Sequence, residues 1–448
     1  MPESAEVLAD VSRPALTADE IDAAAKRISD IIEPTPLQFN PRLSARTGAS
    51  VYLKREDLTA VRSYKLRGAY NLMVQLTEAE KAAGVVAASA GNHAQGVAFA
   101  CAAMGVRGRI YVPTTTPKQK RDRIRVHGGE FVELIAIGET YDAAAAAAAE
   151  DVARTGATMV PPFDDARTAA GQGTIAAEFL EQLGAAPDLV VVPVGGGGCL
   201  AGIGTYLRAR SPHTRILGAE PSGAASMTAA LVAGAPVTLP EIDPFVDGAA
   251  VRRVGQVPFE AAAGFGGEVF SHASLPLVTA AASQLRGSFR MMQVDEGAIC
   301  TAMLELYQNE GIIAEPAGAL ATAALAETVV EPGSTVVVLV SGGNNDVSRY
   351  GEIIERSLVH RGLKHYFLVD FPQEPGALRR FLDDVLGPDD DITLFEYVKR
   401  NNRETGAALV GIELGSPEDL TALMRRIDDS PITAERLEPD SPAYRYLT

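Results

Sequence analysis

One lysine, in the stretch VRSYKLRGAYN (residues 61–71), stands between an aromatic residue and the start of a helical pattern. Lys65 can serve as a base or as a Schiff-base amine toward a carbonyl compound. It can equally be one more solvated cation at a helix end. What the rest of the chain supplies for such a lysine decides between the two. Three polar, glycine-containing segments each follow a β-branched run: SAGNHAQG (89–96) after GVVAA, GGGGCLAG (195–202) after LVVVPV, and SGGNND (341–346) after TVVVLV. In open α/β sheets, ligands bind beyond the carboxyl ends of the strands, where these loops fall. Gly195, Gly196, Gly197 and Gly198 ahead of a helix expose backbone N–H groups at the positive end of its dipole, which is a phosphate cradle. Close helix–strand packing is the competing reason for the same four glycines. No Gly-Lys-Ser/Thr follows them and no GxGxxG occurs, so neither a Walker A loop nor a dinucleotide fingerprint is present.

His93 is one of only six histidines, and no HxH or HxxxH pairing accompanies it. A structural or substrate-positioning role suits it better than acid–base work. The carboxylates in PPFDD (161–165) have no partner motif for glycosidase chemistry and read as a loop.

These residues need elements to hold them. From about residue 50 to 345, short β-branched runs alternate with Ala-rich helical stretches, as in a parallel α/β sheet. GVVAAS precedes HAQGVAFACAAMG, RIYVP precedes PKQKRDRIRVHG, and DLVVVPV precedes LAGIGTYLRAR. The run DAAAAAAAED (142–151) is a strong helix former. After TVVVLVSGGNND the character changes: VSRYGEIIERSLVHRGLK reads as a helix and linker. HYFLVDFP, EPGALRRFLDDVLG, ITLFEYVKR, GAALVGIEL, PEDLTALMRRIDD and ITAERL then read as strand, helix, strand, strand, helix and strand. That is a ferredoxin-like βαββαβ unit.

Composition narrows the partners. Forty basic against 57 acidic residues leave a net charge of −17 with no basic stripe, which argues against nucleic acid. Cys101, Cys199 and Cys300 lie far apart without a CxxC pair, fitting a reducing compartment and no cysteine zinc site. The acidic N-terminus lacks the basic-then-apolar pattern of a secretory signal. The run 189–207 has no charge for 19 residues, yet it holds Pro193 and six glycines and reads as strand, loop and helix, not a membrane span. A cytoplasmic protein without membrane association is expected.

The lysine in SxKxRGA, the loop SAGNHAQG and the tetraglycine loop together resemble the fold-type II pyridoxal-phosphate enzymes. KREDLTAVRSYKLRGAYN, SAGNHAQGVA, PPFDDARTAAGQGTIAAE, PVGGGGCLAG, EPAGALA and SGGNND together are similar to the threonine dehydratase (threonine ammonia-lyase) family. The likeness runs from about residue 20 to 440. ERSLVHRGLKHYFLV and the βαββαβ unit resemble the biosynthetic form with its ACT-like regulatory module.

The resemblance implies a two-lobed catalytic domain like the tryptophan synthase β chain, followed by a ferredoxin-like, ACT-like α+β domain. The implied boundaries are a tail over 1–20, the catalytic domain over 21–350, a linker over 351–363 and the regulatory domain over 364–440. It implies that Lys65 forms the Schiff base with pyridoxal 5′-phosphate and then works as the catalytic base. Asn92 would bond the cofactor's ring hydroxyl, Gly195 to Gly198 and the Cys199 backbone its phosphate, and Ser341 its pyridine nitrogen. Ser89, Gly91, Asn92 and His93 would grip the substrate carboxylate. The implied reaction is deamination of L-threonine to 2-oxobutanoate and ammonia, a carbon–nitrogen lyase step that begins isoleucine biosynthesis. Isoleucine as inhibitor, valine as activator and a homotetramer are implied with it. Tyr64 replaces a common phenylalanine and Cys199 a frequent leucine, both mild departures. EPSGAAS resembles a metal-binding EPxxAxD, but Ser226 replaces the aspartate after Glu220, so no metal is expected. Two alternatives share these residues: a serine dehydratase or serine racemase, and an amino-acid sensor on an inactive scaffold. A substrate methyl group discriminates by only about 1–3 kcal/mol, so threonine and serine specificities overlap.

Overall fold

The computed structural model describes residues 15–269, 288–397, 405–438, 441 and 444; residues 1–14 of the expected tail lie outside them. The chain divides into two compact units, one of residues up to Asp295 with 306–345, the other of 296–305 with the residues from Asp346 onward.

In the first unit the runs LVVVP and TVVVLV form the strands Leu189–Pro193 and Thr335–Val340, buried along nearly their whole length. Continuous burial marks strands covered on both faces, the situation of a parallel sheet. They lie in a seven-stranded sheet ordered 37–39, 50–55, 335–340, 189–193, 215–221, 289–294, 267–269, in which only the first pair is antiparallel. A second, four-stranded parallel sheet is ordered 132–136, 108–112, 85–88, 158–159. Each sheet has its own apolar core. Both the alternation and the parallel pairing follow the sequence pattern. The uncharged run 189–207 is a strand, a loop and the start of the helix Gly198–Arg210. Among the described residues no helix is long and apolar enough to cross a membrane.

Small residues set how closely the helices approach. A Cβ on Gly171 would lie 2.5 Å from the carbonyl oxygen of Arg67, and one on Gly68 2.6 Å from that of Thr168. The helices Lys65–Val74 and Ala166–Leu183 therefore meet backbone to backbone. A Cβ on Gly202 would lie 2.1 Å from the Ala169 carbonyl oxygen, so the helix Gly198–Arg210 presses onto the same long helix. The segment that carries Lys65 and the segment that follows the tetraglycine loop are thus indexed to one common rod.

In the second unit the elements run strand Lys364–Pro372, helix Ala377–Asp384, strands Asp391–Tyr397 and Thr405–Glu413, helix Asp419–Asp428 and strand Thr433–Leu437. The antiparallel sheet has the order 391–397, 405–413, 364–372, 433–437. This is the ferredoxin-like arrangement expected from periodicity. Its core joins Phe367, Val369 and Phe371 to Phe381, Leu423 and Ile427. The stretch VSRYGEIIERSLVHRGLK, read as a helix and linker, holds the helix Tyr350–His360, in which Ile353 and Ser357 are buried. Tyr366 Oη donates to Glu355 at 2.7 Å and ties that helix to the first strand.

Candidate active site

Lys65 opens its helix, and a buried charge cluster fixes that helix two residues later. Arg67 is fully buried and uses its guanidinium on Glu56 (2.7 and 2.9 Å), Glu178 (2.6 and 3.0 Å) and Thr174 Oγ1 (3.0 Å). Those five bonds match its five N–H donors. Lys54, also fully buried, donates to Glu178, Gln182 and the Thr35 carbonyl. Two cations face two carboxylates, so the charges balance within the cluster and it holds the helix in position. Lys65 itself is half-buried, with Nζ donating to the Pro162 carbonyl at 2.9 Å. The rings of Tyr64 and Phe163 lie 5.4 and 5.9 Å from Nζ. Burial lowers its pKa to about 8, against the opposing pull of Cys199 and Glu315. Desolvation disfavours an ammonium, so a usable fraction is neutral amine near physiological pH.

The three loops converge. Asn92 and His93 begin the helix Asn92–Met104 beyond the strand Val85–Ala88. Ser341 follows the strand Thr335–Val340, and the glycines follow Leu189–Pro193. Asn344 bridges the loops of Ser341 and Asn92, its Nδ2 donating to Asn92 Oδ1 and to the Val61 carbonyl, both at 2.8 Å. Ser63 pairs with Gly342, and the Tyr64 N–H donates to the Ser341 carbonyl at 3.2 Å. Ser341 is buried, with Oγ donating to the Ala317 carbonyl at 3.0 Å. Ser89 Oγ accepts from the Gly91 N–H at 3.3 Å, and a Cβ on Gly91 would meet nothing within 4 Å. That open space adjoins the first turn of a thirteen-residue helix without a side-chain cap, which suits an anion.

His93 faces the other way. Its Nε2 lies 2.7 Å from the Val160 carbonyl, so Nε2 carries the proton, and Nδ1 has no partner. Burial, helped by the Lys65 charge, drops its pKa to about 3, leaving a neutral, fixed imidazole.

Both reasons for the tetraglycine loop apply. A Cβ on Gly196 would lie 2.2 Å from the Phe163 ring, and one on Gly195 2.8 Å from Ala249. Gly197, at φ +90°, adopts a left-handed conformation that favours glycine. The helix Gly198–Arg210 then starts with no capping side chain, leaving its first-turn N–H groups to an outside acceptor. Cys199 is buried and its thiol is pushed up by burial, so its backbone is what a ligand would meet.

Four contributors were missed by the sequence reading. Pro162 and Phe163 sit in the segment read as a plain loop, yet they supply Lys65 with an acceptor and a ring. Glu315, 5% exposed, accepts from Asn92 Nδ2 at 2.5 Å. Asn344 clamps the same asparagine. A carbonyl that accepts a lysine proton leaves no mark in residue type, whereas a glutamate just ahead of the apolar helix Pro316–Ala326 was a signal available in EPAGALA. On the strand Arg215–Pro221, the parallel neighbour of Leu189–Pro193, Glu220 is buried and accepts the N–H groups of Met227 (2.5 Å) and Thr228 (2.9 Å). No group of three His, Cys, Asp or Glu able to hold a metal ion occurs among the described residues.

A half-buried lysine of depressed pKa, an asparagine held from both sides, a neutral serine and an uncapped glycine-rich helix start fit pyridoxal phosphate. Residues 28–342 match the family of pyridoxal-phosphate dependent enzymes, which fixes the class that fold and site define. Residues 355–447 match the C-terminal regulatory domain of threonine dehydratase. The biosynthetic L-threonine dehydratase of Mycobacterium tuberculosis is 68% identical over 432 residues, 96% of either chain. The chain belongs to the family of biosynthetic L-threonine dehydratases. Among solved structures, the processed form of threonine deaminase isoform 2 from Solanum lycopersicum superposes with a TM-score of 0.67 at 35% identity, covering 80% of this chain and 94% of that one. Serine racemase from Dictyostelium discoideum gives 0.64 at 28% identity, covering 74% and 99%.

Proposed function

We propose that Lys65 is the residue on which the deamination of L-threonine turns, carrying the cofactor at rest and moving the proton at the substrate's Cα. Bound pyridoxal phosphate supplies the electron sink that makes that proton acidic and lets the β-hydroxyl depart. The products are 2-oxobutanoate and ammonia. The observation that carries the reading is Nζ of Lys65, held at 2.9 Å from the Pro162 carbonyl and kept partly neutral by burial. The carbonyl aims the amine without taking its proton for good, because a backbone oxygen is only an acceptor. Phe163 and Tyr64 keep water from its flanks.

Asn92 would face the ring oxygen, and Gly195, Gly196, Gly197, Gly198 and the backbone of Cys199 the phosphate, through their N–H groups. Ser341 would face the ring nitrogen. Its hydroxyl proton can rotate from Ala317 toward that nitrogen. A neutral hydroxyl leaves the sink weaker than a carboxylate would, which favours loss of the β-hydroxyl over a long-lived carbanion. Ser89, Gly91, Asn92 and the backbone N–H of His93 would take the substrate carboxylate at the open helix start. The neutral imidazole of His93 adds no competing charge there.

The catalytic role is assigned to residues 21–350 and effector sensing to 364–440. Within the latter, isoleucine inhibits and valine opposes it, and the working enzyme is a cytoplasmic homotetramer. Support comes from the match to a threonine dehydratase regulatory domain and from the ferredoxin-like unit, a module that pairs readily across a symmetry axis. The relatives at high identity are threonine enzymes, while the serine racemase likeness stands at 28%, which favours threonine over serine.

Lys65→Ala tests the assignment. We expect loss of the absorbance of lysine-linked cofactor and of nearly all turnover, with an unchanged far-ultraviolet circular dichroism spectrum. Full activity in that variant would sink the assignment.

A further inference from the structure

Glu315 is a buried carboxylate whose side chain reaches the site through Asn92. It stands immediately before the helix Pro316–Ala326 but does not cap it. Its Oε1 is turned instead to Asn92 Nδ2, at 2.5 Å. Gly342, next to Ser341, has no room for a side chain because Glu315 fills the space: a Cβ there would lie 2.2 Å from Oε1. Asn92 is therefore gripped at both ends, its oxygen by Asn344 Nδ2 and one amide hydrogen by Glu315. An amide nitrogen has two hydrogens. The second one remains for the cofactor.

We propose that Glu315 is a positioning residue that orients Asn92 and, through it, couples the state of its own proton to the cofactor ring. The inference rests on the reading that Asn92 faces the ring oxygen. With the carboxylate ionised, Asn92 is held by a charge-assisted bond and a negative charge lies one residue from the ring. With the carboxyl protonated, that bond weakens and the charge is gone. Desolvation, with Asp247 adding to it, lifts Glu315 to about 7, against the Asn92 bond, Lys120 and an N–H of Asn344. Both states are accessible near neutral pH.

The other titratable groups in view do not mimic this. Lys120 and Asp247 bond to each other at the edge of the site. Tyr64 and Cys199 are pushed upward by burial, and His93 stays neutral down to about 3. Lys65, at about 8, is engaged when the cofactor is bound.

The experiment is a pH titration of the absorbance spectrum of the purified, cofactor-loaded full-length enzyme across roughly two units centred on neutrality. We expect a spectral midpoint near 7 in the unaltered protein. In Glu315→Gln we expect no midpoint and, throughout, the spectrum that the unaltered protein shows on the acid side. A flat titration of the unaltered protein overturns the proposal. A midpoint that persists in Glu315→Gln but shifts in Asn92→Ala also overturns it, while leaving Asn92 facing the ring. No change in either variant removes both. If Glu315→Gln fails to fold or to keep cofactor, Glu315→Asp carries the test: a displaced midpoint supports the coupling and an unmoved one overturns it.

Discussion

At the scale of single residues, burial separates groups of one chemical type into different tasks. Lys54 and Lys65 are both depressed by desolvation, yet Lys54 is locked by three acceptors while Lys65 has one carbonyl and an open side. Glu220 and Glu315 are both raised to about 7 by burial, and only Glu315 reaches the site. Glu220 instead ties down the start of the helix Ser226–Ala233, against which its two N–H bonds do not fully offset desolvation. Its folded pKa lies above the ordinary 4.5, so the folded state binds the extra proton. Stability contributed by that proton is present at low pH and is lost as pH rises from about 4.5 to about 7. In Glu220→Gln we expect the stability relative to the unaltered protein to climb across that window by roughly 3 kcal/mol, then level off. Urea unfolding at several pH values reads it, and a pH-independent difference counts against an ionisable Glu220.

Among the elements, the helix that begins with Lys65 is located by charge as well as by packing. Breaking a buried ion cluster on one side leaves carboxylates unpaired, which costs about 3–5 kcal/mol. We therefore expect Arg67→Met to lose that much in urea unfolding, and Arg67→Met with Glu56→Gln to recover part of it, since the pair shares one network. Equal losses in both would place the cost in packing alone. How legible were these parts in the sequence? The strands were, because TVVVLV and LVVVPV carry their burial in composition, and the ferredoxin-like order followed from alternating strand and helix periods. The positions of Asn92, Ser341 and the glycines were visible as loops after strands, and that of Lys65 as the start of a helical pattern. Arg67, Lys54, Glu56 and Glu178 were not singled out. In sequence, KRED and AAEF look like ordinary helix or charged surface, and only the meeting of the strand Ser50–Arg55 with the helix Ala166–Leu183 turns them inward. Pro162 and Phe163 escaped for a similar reason, since their contribution depends on a fold-over of about a hundred residues of chain. The helix Tyr350–His360 was anticipated in part, but its membership in the second unit was not.

For the whole molecule, regulation is a coupling of free energies between substrate and effector. Such couplings run at about 1–3 kcal/mol and are reciprocal for binding. We expect isoleucine to raise the apparent threonine concentration for half-maximal rate by several-fold to a hundredfold in the full-length enzyme, and valine to reverse it. Calorimetric titration with a slow or non-reacting threonine analogue should lower isoleucine affinity by the same factor. Indifference of the full-length enzyme to both amino acids would reduce the second unit to a structural role.

The uncapped start of the helix Gly198–Arg210 reaches beyond catalysis. Hydrogen-bond donors that the chain leaves to an outside anion make that anion a component of the fold. A ligand that binds only the folded chain adds about 2.7 kcal/mol at a hundred times its dissociation constant, and the gain shrinks as supply falls. The amount of this enzyme in a cell should therefore follow vitamin B6 status. We expect unloaded chains to be less stable by that amount and more open to proteolysis, which limited proteolysis with and without added cofactor would read.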